Sequence, residues 1–265
     1  MRPAARAIAA VAALAIVAAA WGVQARLAAG DQRAASPAQV KTALADRGVA
    51  WIWPASNGPA GVREAAVLLE TLVIHAEGVE RMPRMQALAL PAGVRLLPVL
   101  HVEAAADAPD AFSPAQVDAI VAAFLRHAGE ADAGAGMLQL DFEAPRRERA
   151  AYEALVARVR AALPARTRLS VTALAHWCIE SDWLDRLPVD EVVPMLYRLG
   201  PNAARWRGYW LRDDAALAAR CRGPALGFAT REPPAASLLA RTPRPYWFDE
   251  SAWSNVSHPS LPLPS

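Results

Sequence analysis

Met137-Leu138-Gln139-Leu140-Asp141-Phe142-Glu143-Ala144-Pro145 is an apolar run that ends in two carboxylates two residues apart, and a helix-like segment, 147–163, follows at once. A buried strand followed directly by a helix is the unit from which parallel sheets are built. On a strand, alternate side chains share a face, so Asp141 and Glu143 are expected to project together, with Cα atoms roughly 6–7 Å apart. Two acids crowded on one face repel when both are ionised. One then holds its proton more tightly while the other stays charged, which supplies a proton donor and an anion at one place. The structural alternative is a polar strand end that caps the following helix or pairs with an arginine.

Working outward, seven more short apolar runs rich in β-branched residues read as strands: 49–53, 69–74, 95–102, 169–174, 191–197, 224–228 and 245–248. With 137–142 they make eight, most of them separated by enough chain for a helix. Ser36-Pro37 opens a helix that closes near Gly48, and Ser113 opens another over 115–127, each with a capping residue and a first-turn proline. Pro83 and Pro91 interrupt any helix over 81–92. Eight strand–helix units in a chain of 265 residues predict a closed (β/α)8 TIM-type barrel, with an open doubly wound sheet as the alternative.

The N-terminus has targeting chemistry. Arg2 and Arg6 precede the uncharged apolar run 7–23, and Val23-Gln24-Ala25 offers a small-residue cleavage pattern. Residues 1–25 are therefore expected to be a signal peptide or an N-terminal anchor, 26–35 a linker, 36–253 the barrel and 254–265 a flexible tail. The protein is accordingly expected to be exported, to the periplasm or cell envelope, touching a membrane only through such an anchor. Without Arg2 and Arg6 the basic and acidic residues balance, which argues against nucleic-acid binding. Cys178 and Cys221 are expected to stay apart, because the strand order puts one at a strand's exit and the other just before a strand's start. No Cys/His metal spacing and no glycine-rich phosphate loop is present, so neither a metal nor a cofactor is expected.

Chemistry in such a barrel collects where strands exit into loops. The exits carry Trp51 and Trp53; His75; His101 and Glu103; Asp141 and Glu143; His176 and Trp177; Tyr197 and Arg198; Thr230 and Arg231; and Trp247, Asp249 and Glu250. Aromatic faces pack against the C–H faces of sugar rings, while carboxylates and histidines bind hydroxyls, so this mixture suits a saccharide groove. Trp51, Trp53, Glu103, His176, Trp177, Arg198, Trp247, Asp249 and Glu250 are the expected substrate-binding residues. His101 is expected to bond Glu103, and Trp206 and Trp210, four apart on a helix, are assigned to packing.

The segments W-I-W-P at Trp51, L-H-V-E at Leu100, L-Q-L-D-F-E-A at Leu138, L-S-V-T-A-L-A-H-W-C at Leu169 and V-P-M-L-Y-R-L-G at Val193 resemble the bacterial family known as domain of unknown function 3142. That resemblance implies a glycoside-hydrolase-like barrel. The fourth strand, with M-L-Y two strands later, is also similar to chitinase-type glycosidases, whose D-G-x-D-x-D-x-E motif ends in the acid. By that likeness Glu143 is the general acid, Asp141 its neighbour and Tyr197 the group that orients the substrate. Gly136, Met137 and Gln139 stand where that motif has Asp, Gly and Asp. Neighbours on one strand approach a sugar from one side, so a second acid must face them, with Glu103, Asp249 and Glu250 as candidates, or the substrate must supply an internal nucleophile. The expectation is an exported glycoside hydrolase acting on a polysaccharide or oligosaccharide. The alternative is a non-catalytic carbohydrate-binding envelope protein that uses the same cleft.

Overall fold

The computed structural model describes residues 33–53, 58–109, 111–144, 146–180, 182–212 and 215–249. Segment 1–25, most of the linker and the tail 254–265 lie outside these residues. Helix α1 (Pro37–Arg47) begins at Ser36, whose side chain accepts from the Gln39 amide while the Gln39 side chain accepts from Ser36. The same reciprocal cap, Ser113 with Gln116, starts α2 (Pro114–Ala133). Such a box satisfies two otherwise unpaired helix-end donors. Helix α2 runs past Gly129, where the sequence placed its end, and stops at Gly134. The remaining helices are α3 (Arg149–Ala162), the one-turn α4 (Trp177–Glu180), α5 (Ala203–Leu211) and α6 (Ala236–Ala240).

The strands are β1 (Val49–Ile52), β2 (Glu64–Ile74), β3 (Val79–Pro83), β4 (Arg95–Ala104), β5 (Met137–Asp141), β6 (Arg168–Leu174), β7 (Glu191–Met195), β8 (Ala225–Ala229) and β9 (Arg244–Phe248). The order β1-β9-β8-β7-β6-β5-β4-β2 is parallel throughout, and β1 also pairs with β2, so eight strands close into a barrel. The predicted (β/α)8 architecture is therefore present. Strand β2 starts five residues earlier than its β-branched run indicated, and its register against β4 shifts between Leu68 and Glu70. Beyond that bulge it folds back antiparallel with β3. This hairpin occupies the place of a crossover helix, in the stretch where prolines forbade one.

Period-two alternation divides the strand residues between two cores. Leu138, Leu140 and Phe142 join the outer core against the helices. Met137 packs inside the barrel with Val49, Trp51, Leu97, Val99, Val193 and Tyr246. Part of the lumen is filled by a hydrogen-bonded column. The Trp51 indole donates to Gln139 at 2.7 Å, Gln139 donates to Ser170 at 3.1 Å, and both Ser170 and Tyr246 donate to Glu191, at 2.8 and 2.7 Å. Arg244 pairs with Glu191 and with Glu64, which also holds Arg95. Gln139, where the chitinase-type motif has an acid, is thus fully engaged in supporting Trp51.

The two cysteines form a disulfide, with Cα atoms 5.8 Å apart, contrary to the sequence expectation. After β6 the chain turns outward at α4 instead of remaining at the rim, and Cys178 and Cys221 join the outer core. The Ala218 amide donates to the Cys178 carbonyl at 2.8 Å, which brings the two segments together. Ala34, near the end of the linker, bridges Ala235.

At Gly227 of β8, a Cβ would lie 2.7 and 2.9 Å from Cη2 and Cζ3 of Trp51, so the indole needs a glycine there. Gly227→Ala is expected to displace Trp51 and lower stability by about 1–3 kcal/mol, the usual cost of overpacking. Denaturant unfolding with tryptophan fluorescence measures both effects.

Candidate active site

A cleft of about 750 Å³ opens at the C-terminal ends of the barrel strands. Asp141, the last residue of β5, is buried with both oxygens engaged. Thr172 of β6 donates to Oδ1 at 2.6 Å, and His101 of β4 places Nδ1 2.8 Å from Oδ2. The β4–β5 register sets His101 directly beside Asp141. The other ring nitrogen, Nε2, lies 2.9 Å from Glu103, the bond expected from sequence. Burial works to lower the His101 pKa, but hydrogen bonds and charges from Asp141 and Glu103 outweigh it and raise the pKa to about 9.

Glu143 follows two residues later and lines the same cleft. Its side chain is exposed, and among the described residues it makes no hydrogen bond or ion pair. The cleft walls displace water around it, and this desolvation, followed by the Asp141 charge, pushes its pKa up. His101 and Arg198 pull the other way. Asp141 and Glu143 therefore differ in circumstance: one is buried and bonded on both oxygens, the other open to the cleft and inclined to keep its proton.

The facing wall is aromatic. Tyr197 stacks on Phe248 with centroids 5.8 Å apart and planes 13° apart, and its hydroxyl donates to the Met195 sulfur at 3.3 Å. Trp53 meets both Phe248 and His101 edge-on, at 6.1 and 6.0 Å. The Arg198 guanidinium sits 5.5 Å over Phe248. Arg198 is the sole described non-glycine residue with positive φ, 53°, and its amide donates to the Glu232 carboxylate, which Arg207 grips at 2.7 Å. Trp51 closes the floor, almost fully buried.

Of the residues expected at the site, Asp141, Glu143, Tyr197, Trp51, Trp53, Glu103, His176 and Arg198 share this cleft. Trp177 and Trp247 do not. Strand parity turns Trp247 outward against Phe228, with Tyr246 and Phe248 facing in. Trp177 starts the outward-turning α4 and packs on Trp183 and Tyr152. Asp249 is half-buried and does not line the cleft, and Glu250 lies outside the described residues. His75 pairs instead with Glu80 and Asp107. Sequence reasoning passed over Thr172 and Phe248, although inward parity from Ser170 and Tyr246 marks both. Trp206, assigned to packing, is half-exposed on the cleft wall and stacked on Tyr209. Among the described residues, no group of three or more His, Cys, Asp and Glu side chains is arranged to hold a metal ion.

The fold and the cleft define a (β/α)8 barrel with a carboxylate wall facing an aromatic one. No protein-family model matches the chain, so the likeness to family 3142 rests on the quoted motifs, and no curated protein matches it either. Among solved structures it is similar to the spore cortex-lytic enzyme SleL of Bacillus cereus, with 14% identity, a TM-score of 0.45, and coverage of 74% of this chain and 57% of that one.

The raised His101 pKa predicts a pH-dependent stability. Below about 6.5 the ring is charged in folded and unfolded chains alike, and its bonds to Asp141 and Glu103 contribute fully. As pH rises the unfolded chain releases this proton first, so the contribution shrinks and is lost once pH passes about 9. Thermal unfolding is expected to show a falling Tm across this interval, with a shallower slope in His101→Gln.

Proposed function

We propose that this chain is an exported glycoside hydrolase in which Glu143 protonates the leaving glycosidic oxygen. The observation that carries this reading is an acid with a raised pKa and no bonded partner among the described residues, set beside a fully bonded carboxylate in an aromatic cleft. A proton donor of this kind works best when its pKa lies near the operating pH. Asp141, held by Thr172 and His101, stabilises positive charge that develops as the bond breaks. Tyr197 positions the reacting group, and Trp53, Phe248 and Trp206 offer faces for sugar rings.

Among the described residues, the carboxylates that line the cleft, Glu103, Asp141 and Glu143, come from adjacent strands β4 and β5 and their extensions. A two-carboxylate mechanism needs acids on opposite sides of the sugar. This one-sided arrangement favours a substrate that brings its own nucleophile, such as the acyl oxygen of a 2-acetamido sugar, with Glu143 acting first as acid and then as base toward water. The apolar run 7–23 and the Cys178–Cys221 pair both support an oxidising location outside the cytoplasm, in the periplasm or envelope.

Reducing-end release from a panel of polysaccharides, amino-sugar polymers included, measured beside direct binding, tests the proposal. Glu143→Gln should reduce turnover by about 10²-fold or more, the usual contribution of a general acid, with sugar binding nearly unchanged. Undiminished release by that variant contradicts the assignment. Binding without release by the native chain favours the non-catalytic carbohydrate-binding protein.

A further inference from the structure

We propose that His101 is a positioning residue of this site: an imidazolium clamped between Glu103 and Asp141 that holds the Asp141 carboxyl group in one orientation beside Glu143. The inference builds on the reading of Glu143 as the acid and adds the group that acts on it through Asp141.

With both flanking carboxylates ionised, the geometry requires the charge. A neutral imidazole has one N–H and one lone pair. Both His101 nitrogens lie against carboxylate oxygens, at 2.8 and 2.9 Å. A neutral ring would set its lone pair against an anion on one side, whereas the doubly protonated ring donates to both. Backbone pairing holds this arrangement, because His101 and Asp141 are register partners on adjacent strands. Thr172 approaches from the third strand and takes the remaining Asp141 oxygen. The carboxylate cannot rotate without giving up both bonds.

The charge also governs Glu143. Burial and then the Asp141 charge raise the proton affinity of Glu143, and His101 and Arg198 lower it. The imidazolium offsets part of the rise in Glu143 proton affinity; without it, Glu143 would hold a proton more tightly. Among the described residues, the ionisable groups that bond or couple to His101 are Glu103 on its own strand and Asp141 on β5, and Glu143 feels its field. Trp53 faces the ring edge-on at 6.0 Å and brings no charge. Glu103, largely exposed, forms the outer jaw, and Asp141, nearly buried, the inner one.

The native full chain is tested first, by ¹H–¹⁵N NMR of the His101 ring. Both ring nitrogens should be protonated at pH 7–8, with a titration midpoint far above 6.5 and lowered in Glu103→Gln. A ring that is singly protonated at pH 7 overturns the proposal. In His101→Gln, the Glu143 carboxyl midpoint, read by ¹³C NMR, should move to higher pH, and where a substrate is turned over the high-pH limb of kcat/KM should move with it. An unchanged Glu143 midpoint in that variant also overturns it. Because the NMR readings need no turnover, failure to hydrolyse any glycan would remove the hydrolase reading and leave the His101 measurement decisive by itself.

Discussion

A closed parallel barrel must fill its own lumen, and here part of the filling is two sets of inward side chains, each bonded from one strand to the next. Glu64 and Glu191 face Arg95 and Arg244 toward the strand starts, and Ser170, Gln139, Tyr246 and Trp51 follow; Thr172, Asp141 and His101 form the second set, at the mouth. Two acids and two guanidinium groups balance at the base, as buried charges require if they are to be tolerated. The set at the mouth belongs to the site. Asp141 has a fixed orientation because its strand neighbours are committed to the lumen and supply Thr172 and His101 at the same height.

From that constraint follows the division between the two acids. Asp141 is the last residue of β5 to lie within the sheet, and it finds bonded neighbours on both sides. Glu143 has passed beyond the sheet edge, where no described residue offers a comparable partner. Opposite, β7 and β9 deliver Tyr197, Arg198 and Phe248. The cleft is thus chemically two-sided, with carboxylates and His101 on one wall and aromatic rings on the other. Arg198 keeps an uncommon backbone conformation at this boundary, anchored by Glu232 and Arg207. Backbone strain of this kind persists where surrounding contacts over-determine it.

Eight strands and their parallel order were legible because buried parallel strands read as short β-branched runs whatever their neighbours. The site was legible in part, because position near a strand end was used where parity was also needed. Tyr246 and Phe248 share an inward face that excludes Trp247, and the same alternation from Ser170 leads to Thr172. Other features depend on geometry that local sequence does not carry. The direction in which α4 leaves β6 decides both the burial of Trp177 and the pairing of Cys178 with Cys221. Helix α5 places Trp206 on the cleft wall and Trp210 where its indole bonds the Cys221 carbonyl. The β2–β3 hairpin replaces a helix through a bulge that no residue pattern announces.

In the proposed reaction, Glu143 meets a glycosidic oxygen across this cleft. A crystal structure of the Glu143→Gln chain with a bound oligosaccharide tests it most directly. A bridging oxygen is expected within about 2.6–3.2 Å of the substituted side-chain amide, the reach of a proton transfer, with adjoining rings on Trp53 and Phe248. A saccharide seated with its linkage beyond hydrogen-bond reach of that side chain, or bound elsewhere on the barrel, would contradict it.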